Sequence, residues 1–358
     1  MTDSAPRKGM PSPQLDRAAF IARFKSQFSD PVFASMPDAL DQIAQGAWDA
    51  YSHHRKSPHT RKAGPGHADP DYDLAIDWIN AAAAIAQAQE SHDRQGPPRR
   101  ILIVNGSSRS EHSCPGEMSK SWRVADLAAQ TCRGQGLEVD MLDLSRLTSE
   151  YGRTIHPCKA CFSTSPALCH WPCSCYPNYS LGQVHDWMND IYPLWVAAHG
   201  VLLVTPVNWY QPSSPMKLMM DRLVCADGGN PDPTLTQGKD AAKAKAVELQ
   251  GWHYPRHLAG RLFGVIVHGD TEGAENVRRL LGDWMQAMGM ISAGAKAELD
   301  RYIGYYGPYA ESHAALDRDE PFQTEARNVA LTLCEAVLAD DAHKLAAAGQ
   351  GLPDPRPK

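Results

Sequence analysis

Five short runs rich in apolar and β-branched residues recur along this chain, at residues 101–104, 137–142, 200–205, 262–268 and 290–295, with helical spacing between them, at 181–198, 214–225 and 274–288. Runs of this length are too short for buried helices, and they read as strands covered on both faces. Alternation of strand and helix predicts an α/β fold, a doubly wound five-stranded parallel sheet. Ligands in such a sheet sit in the crevice at the carboxyl ends of the strands.

Around this pattern the chain changes character. The stretches 18–28, 36–51 and 72–89 have helical spacing, with Phe20, Ile21, Phe24 and Phe28 on one stripe and Leu40, Ile43, Ala44 and Trp48 on another. A basic, Pro- and Gly-rich loop is expected at 53–70 and a linker at 95–100. Residues 1–98 therefore read as a helical N-terminal extension that docks to cover its stripes. Residues 99–345 read as the main domain and 346–358 as a disordered tail. A good terminal helix is expected at 321–338, and the segments 145–180, 226–260 and 299–319 read as insertions around a site. A formal charge of −6 and a pI near 6.2 give no case for nucleic-acid binding. No apolar run approaches the roughly 20 residues that span a bilayer, and the first residues lack a secretory signal, so a cytoplasmic protein is expected.

The loop after the first strand is small and hydroxylated: Gly106, Ser107, Ser108, Ser110, Ser113 and Ser119, with Arg109 among them. Loop N–H groups and a helix amino end together favour an anion. The loop carries neither the G-x-x-x-x-G-K-[ST] that wraps a triphosphate nor the G-x-G-x-x-G of a dinucleotide site. Serine hydroxyls with one arginine suit a terminal phosphate monoester, so a flavin mononucleotide (FMN) site is expected. The loop after the third strand offers Trp209 and Tyr210 as walls for a flat ring and the backbone of 207–209 as donors. The loop after the fourth, 268–273, offers a tight glycine turn where main chain can approach that ring. His268 reads as a donor to a flavin or substrate carbonyl, or as a satisfied histidine at a strand end.

These loops resemble the NAD(P)H-dependent FMN reductase family of flavodoxin-like proteins. The residues that carry the resemblance are Gly-Ser-Ser-Arg-Ser at 106–110, Thr-Pro-Val at 205–207, Ser-Pro-Met-Lys-Leu-Met-Met-Asp-Arg at 214–222, and His-Gly-Asp at 268–270. The resemblance covers about residues 100–300. It implies a flavodoxin-like fold, phosphate contacts from Ser107, Arg109, Ser113 and Ser119, and ring contacts from Pro206, Val207, Asn208, Trp209 and Gly269. It also implies that Lys217, Asp221 and Arg222 are structural. The implied activity is reduction of a flavin, quinone or other planar acceptor by NAD(P)H, through ping-pong hydride transfer in a homodimer or homotetramer. The flavin carries the chemistry, and no catalytic side chain is expected. Two departures are the long loop holding Cys114-Pro-Gly and the Asn208-Trp209 pair, where a tyrosine is commoner.

Five of the nine cysteines fall between 158 and 175, as Cys158-x2-Cys161-x7-Cys169-x3-Cys173-x-Cys175. The first pair gives two thiolates to one centre, and later cysteines complete four. Cys158, Cys161, Cys169 and Cys173 are the expected ligands, with Cys175 the alternate. The iron–sulfur flavoprotein branch of the same superfamily carries a compact cysteine motif in the equivalent place, which implies a [4Fe–4S] centre. Tetrahedral zinc satisfies the same thiolates, and a relic loop needs no metal. With a cluster the chain is an electron carrier; without turnover it is a redox sensor. Cys132, Cys225 and Cys334 lie on apolar helical stripes and read as core. Tyr302, Tyr305, Tyr306 and Tyr309 read as an aromatic lid over a planar substrate, or equally as a packing surface.

Overall fold

The computed structural model describes residues 15–52, 60–94, 96, 98–114, 116–150, 153–175, 186–251, 253, 255–339 and 342–357. Its sheet is built on β1 (Arg100–Asn105), β2 (Glu138–Asp143), β3 (Gly200–Pro206), β4 (Leu262–Gly269) and β5 (Glu298–Tyr302). All pairs are parallel, with Ile103 opposite Met141, Val104 opposite Leu203, and Leu203 opposite Val265. The strand order is β2-β1-β3-β4-β5, with a two-residue strand, Ile291–Ser292, beside the start of β4. This is the flavodoxin-like order 2-1-3-4-5, whose switch point lies between β1 and β3.

Alternating residues feed two apolar layers, as the pleat requires. Leu102, Val104, Val201, Leu203, Val265 and Val267 face a layer formed by α3 (Ile76–Asp93), α5 (Met188–Ala197), α6 (Ser214–Leu223) and α8 (Ala274–Ala287). Ile101, Ile103, Leu202, Val204 and Ile266 face α4 (Lys120–Gly134) and α10 (Glu320–Leu338). The first three strands, the fourth, and the helices 214–225, 274–288 and 321–338 fall within a few residues of expectation.

The fifth strand differs. Only Ile291 and Ser292 of the expected run pair with β4. Gly294 then turns the chain at φ 115°, and pairing resumes at β5, inside a segment read as an insertion. The reason is chemical: β5 is an edge strand whose Glu298 and Asp300 take ion pairs from Arg278 of α8, at 2.9 and 2.7 Å, while Leu299 is buried. Its charged pattern hid it.

The third N-terminal helix also starts later than expected. Residues 73–75 pair antiparallel with 60–62, and α3 begins at Ile76. Residues 53–59 of the expected basic loop and 176–185, with His185 and the start of the expected helix 181–198, lie outside the described residues. α3 packs on α5, and Trp78 Nε1 donates to the Pro172 carbonyl at 2.9 Å. α1 (Arg17–Lys25) and α2 (Pro37–Ser52) bury Phe20, Phe24, Ala44 and Ala47 against each other in a small core of their own.

The segment read as a disordered tail instead lies against the domain. After α9 (Tyr309–Arg318), α10 and α11 (Ala342–Ala347), the backbone N–H of Arg356 donates to Glu325 at 2.8 Å, and its guanidinium pairs with the same carboxylate at 3.0 Å. Arg301 pairs with Glu325 at 2.8 Å, and Lys296 donates to the Leu352 carbonyl. The single buried Glu325 anchors two arginines, a long-range arrangement with no local signal.

Candidate functional site

Loop 106–119 leaves β1 and is held from three sides. The Asn105 amide donates to Asp143 at 2.7 Å while its oxygen accepts the Ser107 N–H. Gly106 donates to Val204 and its carbonyl accepts the Ser213 hydroxyl, the N-cap of α6. A Cβ on Gly106 would lie 2.5 Å from Met216 Cε and 2.7 Å from Thr205 Oγ1, so only glycine lets β1 and β3 come this close to α6. The serines then hold the loop's own backbone. Ser107 Oγ accepts the Arg109 N–H at 3.1 Å, Ser113 Oγ accepts the Ser110 N–H at 3.0 Å, and Ser119 caps α4 by accepting Trp122 N–H at 3.1 Å.

Two cations converge beside this loop. The Arg109 guanidinium lies 4.1 Å from the centre of the Tyr309 ring, and the Lys120 ammonium lies 5.4 Å from the same centre. Lys120 is only 8% exposed, and its protein acceptor is the Ile303 carbonyl at 3.5 Å. Burial lowers its pKa; Asp270 opposes that shift and Arg109 adds to it. A phosphate fits here. The Ser107 and Ser119 hydroxyls keep a proton to donate, the α4 amino end borders the loop, and neither cation makes an ion pair among the described residues, although Arg109 also donates to the Cys114 carbonyl. Lys120 is the residue that sequence reasoning missed. It is the first helical residue after the Ser119 cap, and recognising that cap would have placed it beside the loop.

The other expected contacts are partly spent. Val207 N–H donates to the His268 carbonyl at 2.9 Å and Asn208 N–H to Gln211 at 2.8 Å, so neither is free to meet a ring. Pro206 ends β3. Trp209 and Tyr210 occupy the left-handed region, at φ 49° and 64°, at the tip of a tight turn that leaves Trp209 92% exposed. A Cβ on Gly269 would come within 3.3 Å of Val207 Cβ, so this glycine accommodates the neighbouring strand end. His268 is buried, and its Nε2 bonds Ser121 Oγ at 2.8 Å. Burial, then Lys120, lowers its pKa to about 3, which leaves a neutral ring that ties α4 to β4. Of the four tyrosines, Tyr305 and Tyr309 are anchored, by Asp319 at 3.0 Å and by Arg109, while Tyr302 and Tyr306 stand exposed and 5.8 Å apart.

The cysteine loop forms a second centre. Cys158, Cys161, Cys169, Cys173 and Cys175 line one cavity of about 550 Å³, and Cys225, expected in the core, lines it too. Cys161 and Cys175 Sγ are 3.6 Å apart. That contact lowers the Cys161 pKa to about 7 and raises that of Cys175. Burial raises Cys169 and, to about 12, Cys225. The expected four-thiolate ion site is not assembled: among the described residues, no three His, Cys, Asp or Glu side chains are placed to hold one metal ion. Arg222 borders the same cavity and is fully buried. It donates to the His156 carbonyl at 3.0 Å and pairs with Asp186, whereas Lys217 and Asp221 pair on the surface. No described helix is long and apolar enough to cross a membrane.

Comparison with known proteins follows this geometry. No curated protein matches the chain. Among solved structures, RosB with a bound 8-demethyl-8-formylriboflavin-5′-phosphate intermediate is 14% identical, covering 71% of this chain and 81% of its own, with a TM-score of 0.45. An FMN-dependent NADH-azoreductase from Bacillus anthracis, in complex with FMN, is 13% identical over 66% of this chain and 100% of its own, with a TM-score of 0.40. A flavone reductase is 15% identical over 66% and 62%, with a TM-score of 0.37. Residues 99–301, more than half of the chain, match the sequence profile described as NADPH-dependent FMN reductase, and the chain belongs to that family.

Proposed function

We propose that this chain is an FMN-dependent oxidoreductase that takes reducing equivalents from NAD(P)H and passes them to a flavin, a quinone or another planar acceptor in a ping-pong sequence. The observation that carries this reading is the pair of cations, Arg109 and Lys120, beside a serine loop at the β1/β3 switch point. FMN, when bound, supplies the hydride chemistry. The chain's own task is binding, orientation and exclusion. Ser107, Ser119 and the two cations hold the phosphate, while Ser113, expected as a further contact, donates its hydroxyl to the Ser110 carbonyl at 2.7 Å and shapes the loop. Neutral His268 locks the first turn of α4 through Ser121 and moves no proton at working pH. Pro206, Val207, Asn208 and Gly269 shape the edge of the ring site with side chains and carbonyls, since two of its N–H groups are engaged. The exposed rings of Trp209, Tyr302 and Tyr306 favour a flat acceptor. A second copy of the chain, in a homodimer or homotetramer, is the natural cover for Trp209.

Steady-state assay of the flavin-loaded protein with NADPH or NADH and a quinone tests this. Parallel lines in double-reciprocal plots are expected as quinone is varied at several fixed NAD(P)H concentrations. Bound FMN with no turnover of either nucleotide contradicts the reading.

A further inference from the structure

We propose that Cys161 and Cys175 form a reversible disulfide, a two-electron thiol switch distinct from the flavin site. Their sulfurs are 3.6 Å apart across 14 residues of sequence, and closing to the roughly 2.0 Å of a disulfide asks for a movement of about 1.6 Å. Both are partly exposed on a cavity wall, so a small reagent can reach them, whereas Cys132 and Cys334 are buried. The turn that presents Cys161 is fixed: Ala160 sits in the left-handed region at φ 51°, and its N–H bonds Cys158 Sγ at 3.3 Å. Six cysteines around one cavity invite a metal reading, yet among the described residues no three donors are placed about one metal ion; Cys175 approaches Cys161 and also interacts with Cys173, its rival partner.

The pair also lies apart from the phosphate loop. The amino end of α6 is bonded to the phosphate loop through Ser213, and its carboxyl end reaches the cavity at Met220 and Arg222. Ten helical residues span about 15 Å, which sets the cavity apart from the phosphate loop. The oxidant that fits an open cavity wall is a small disulfide of the glutathione type, and the reductant the corresponding thiol. One thiolate of the pair attacks the small disulfide, which forms a mixed disulfide and releases one thiol. The second then displaces the other, so that protein dithiol plus small disulfide gives protein disulfide plus two small thiols.

The test uses the full-length protein, reduced, then equilibrated with oxidised glutathione, alkylated and mapped by peptide mass spectrometry. Expected is a Cys161–Cys175 cross-linked peptide, with at least a ten-fold loss of alkylation at both, reversed by excess reduced glutathione. Cys161→Ser should abolish the cross-link and leave Cys175 alkylatable or glutathionylated; Cys132→Ser should leave the cross-link unchanged. The proposal is overturned if both thiols stay alkylatable in the unmutated protein or if Cys175 links to Cys173 instead. It is equally overturned if iron and acid-labile sulfide co-purify anaerobically and shield these cysteines. Flavin content, measured in parallel, should not change with the disulfide.

Discussion

Trp209 carries a backbone cost with no packing return. A non-glycine residue held at φ 49° next to another at 64° is strained, and the indole is 92% exposed, so its burial contributes almost nothing to folding. Trp209→Ala should leave unfolding free energy within about 0.5 kcal/mol of the parent, measured by urea denaturation, while raising the KM for a planar acceptor several-fold. A large loss of stability would show that the ring packs against something else. The exposed aromatic pair of this loop was legible in the sequence. The occupation of the Val207 N–H was not, because its acceptor is His268, far along the chain on the next strand. Lys120 was overlooked for a related reason: its burial depends on Tyr309 and Ile303, which come from the other end of the domain.

At the level of elements, α6 joins the two centres. The Asp-Arg ending of this helix was expected to be structural, and Arg222 is so. It and Asp186 are each 1% exposed, and the guanidinium also holds the His156 carbonyl at the start of the cysteine loop. Removing one partner leaves a buried uncompensated charge, so Asp186→Ala or Arg222→Ala should cost about 3–5 kcal/mol. Urea denaturation reads this directly, and a cost below about 1 kcal/mol would mean that water replaces the lost partner. The buried strands β1, β3 and β4 were legible from composition alone, because both faces are covered and their central residues are apolar. The edge strand β5 was not, since its charges are satisfied by other elements, Arg278 for Glu298 and Asp300 and Glu325 for Arg301.

At the scale of the whole molecule, the chain's two ends are handled differently. The hairpin α1–α2 carries its own aromatic core, while the C-terminal segment is tied down by Glu325 and Lys296. Burial alone would raise the pKa of Glu325, but hydrogen bonds from Arg301 and Arg356 outweigh it and hold it at about 2, below its ordinary 4.5. A carboxylate depressed in the folded state contributes stability above its unfolded pKa and loses it as pH falls. The contribution should therefore be complete above about pH 4.5 and fade towards about pH 2, and Glu325→Gln should flatten the fall in Tm across that window. An unchanged acid limb would show that the anchor does not matter. The fold class and the family were legible because three motif-bearing loops follow one another in sequence; the tail was not, because its hold is a few long-range contacts, to Glu325 and Lys296. The central claim is recognition of a phosphate monoester by Arg109, Lys120 and the serine loop. Titration of FMN and riboflavin into flavin-free protein, followed by flavin fluorescence, tests it most directly. Charge-assisted hydrogen bonds of about 1.5–3 kcal/mol predict one FMN per chain bound at least about ten-fold more tightly than riboflavin, a preference lost in the Arg109→Ala/Lys120→Ala double variant. Equal affinity for the two flavins, or no saturable FMN binding, would contradict it.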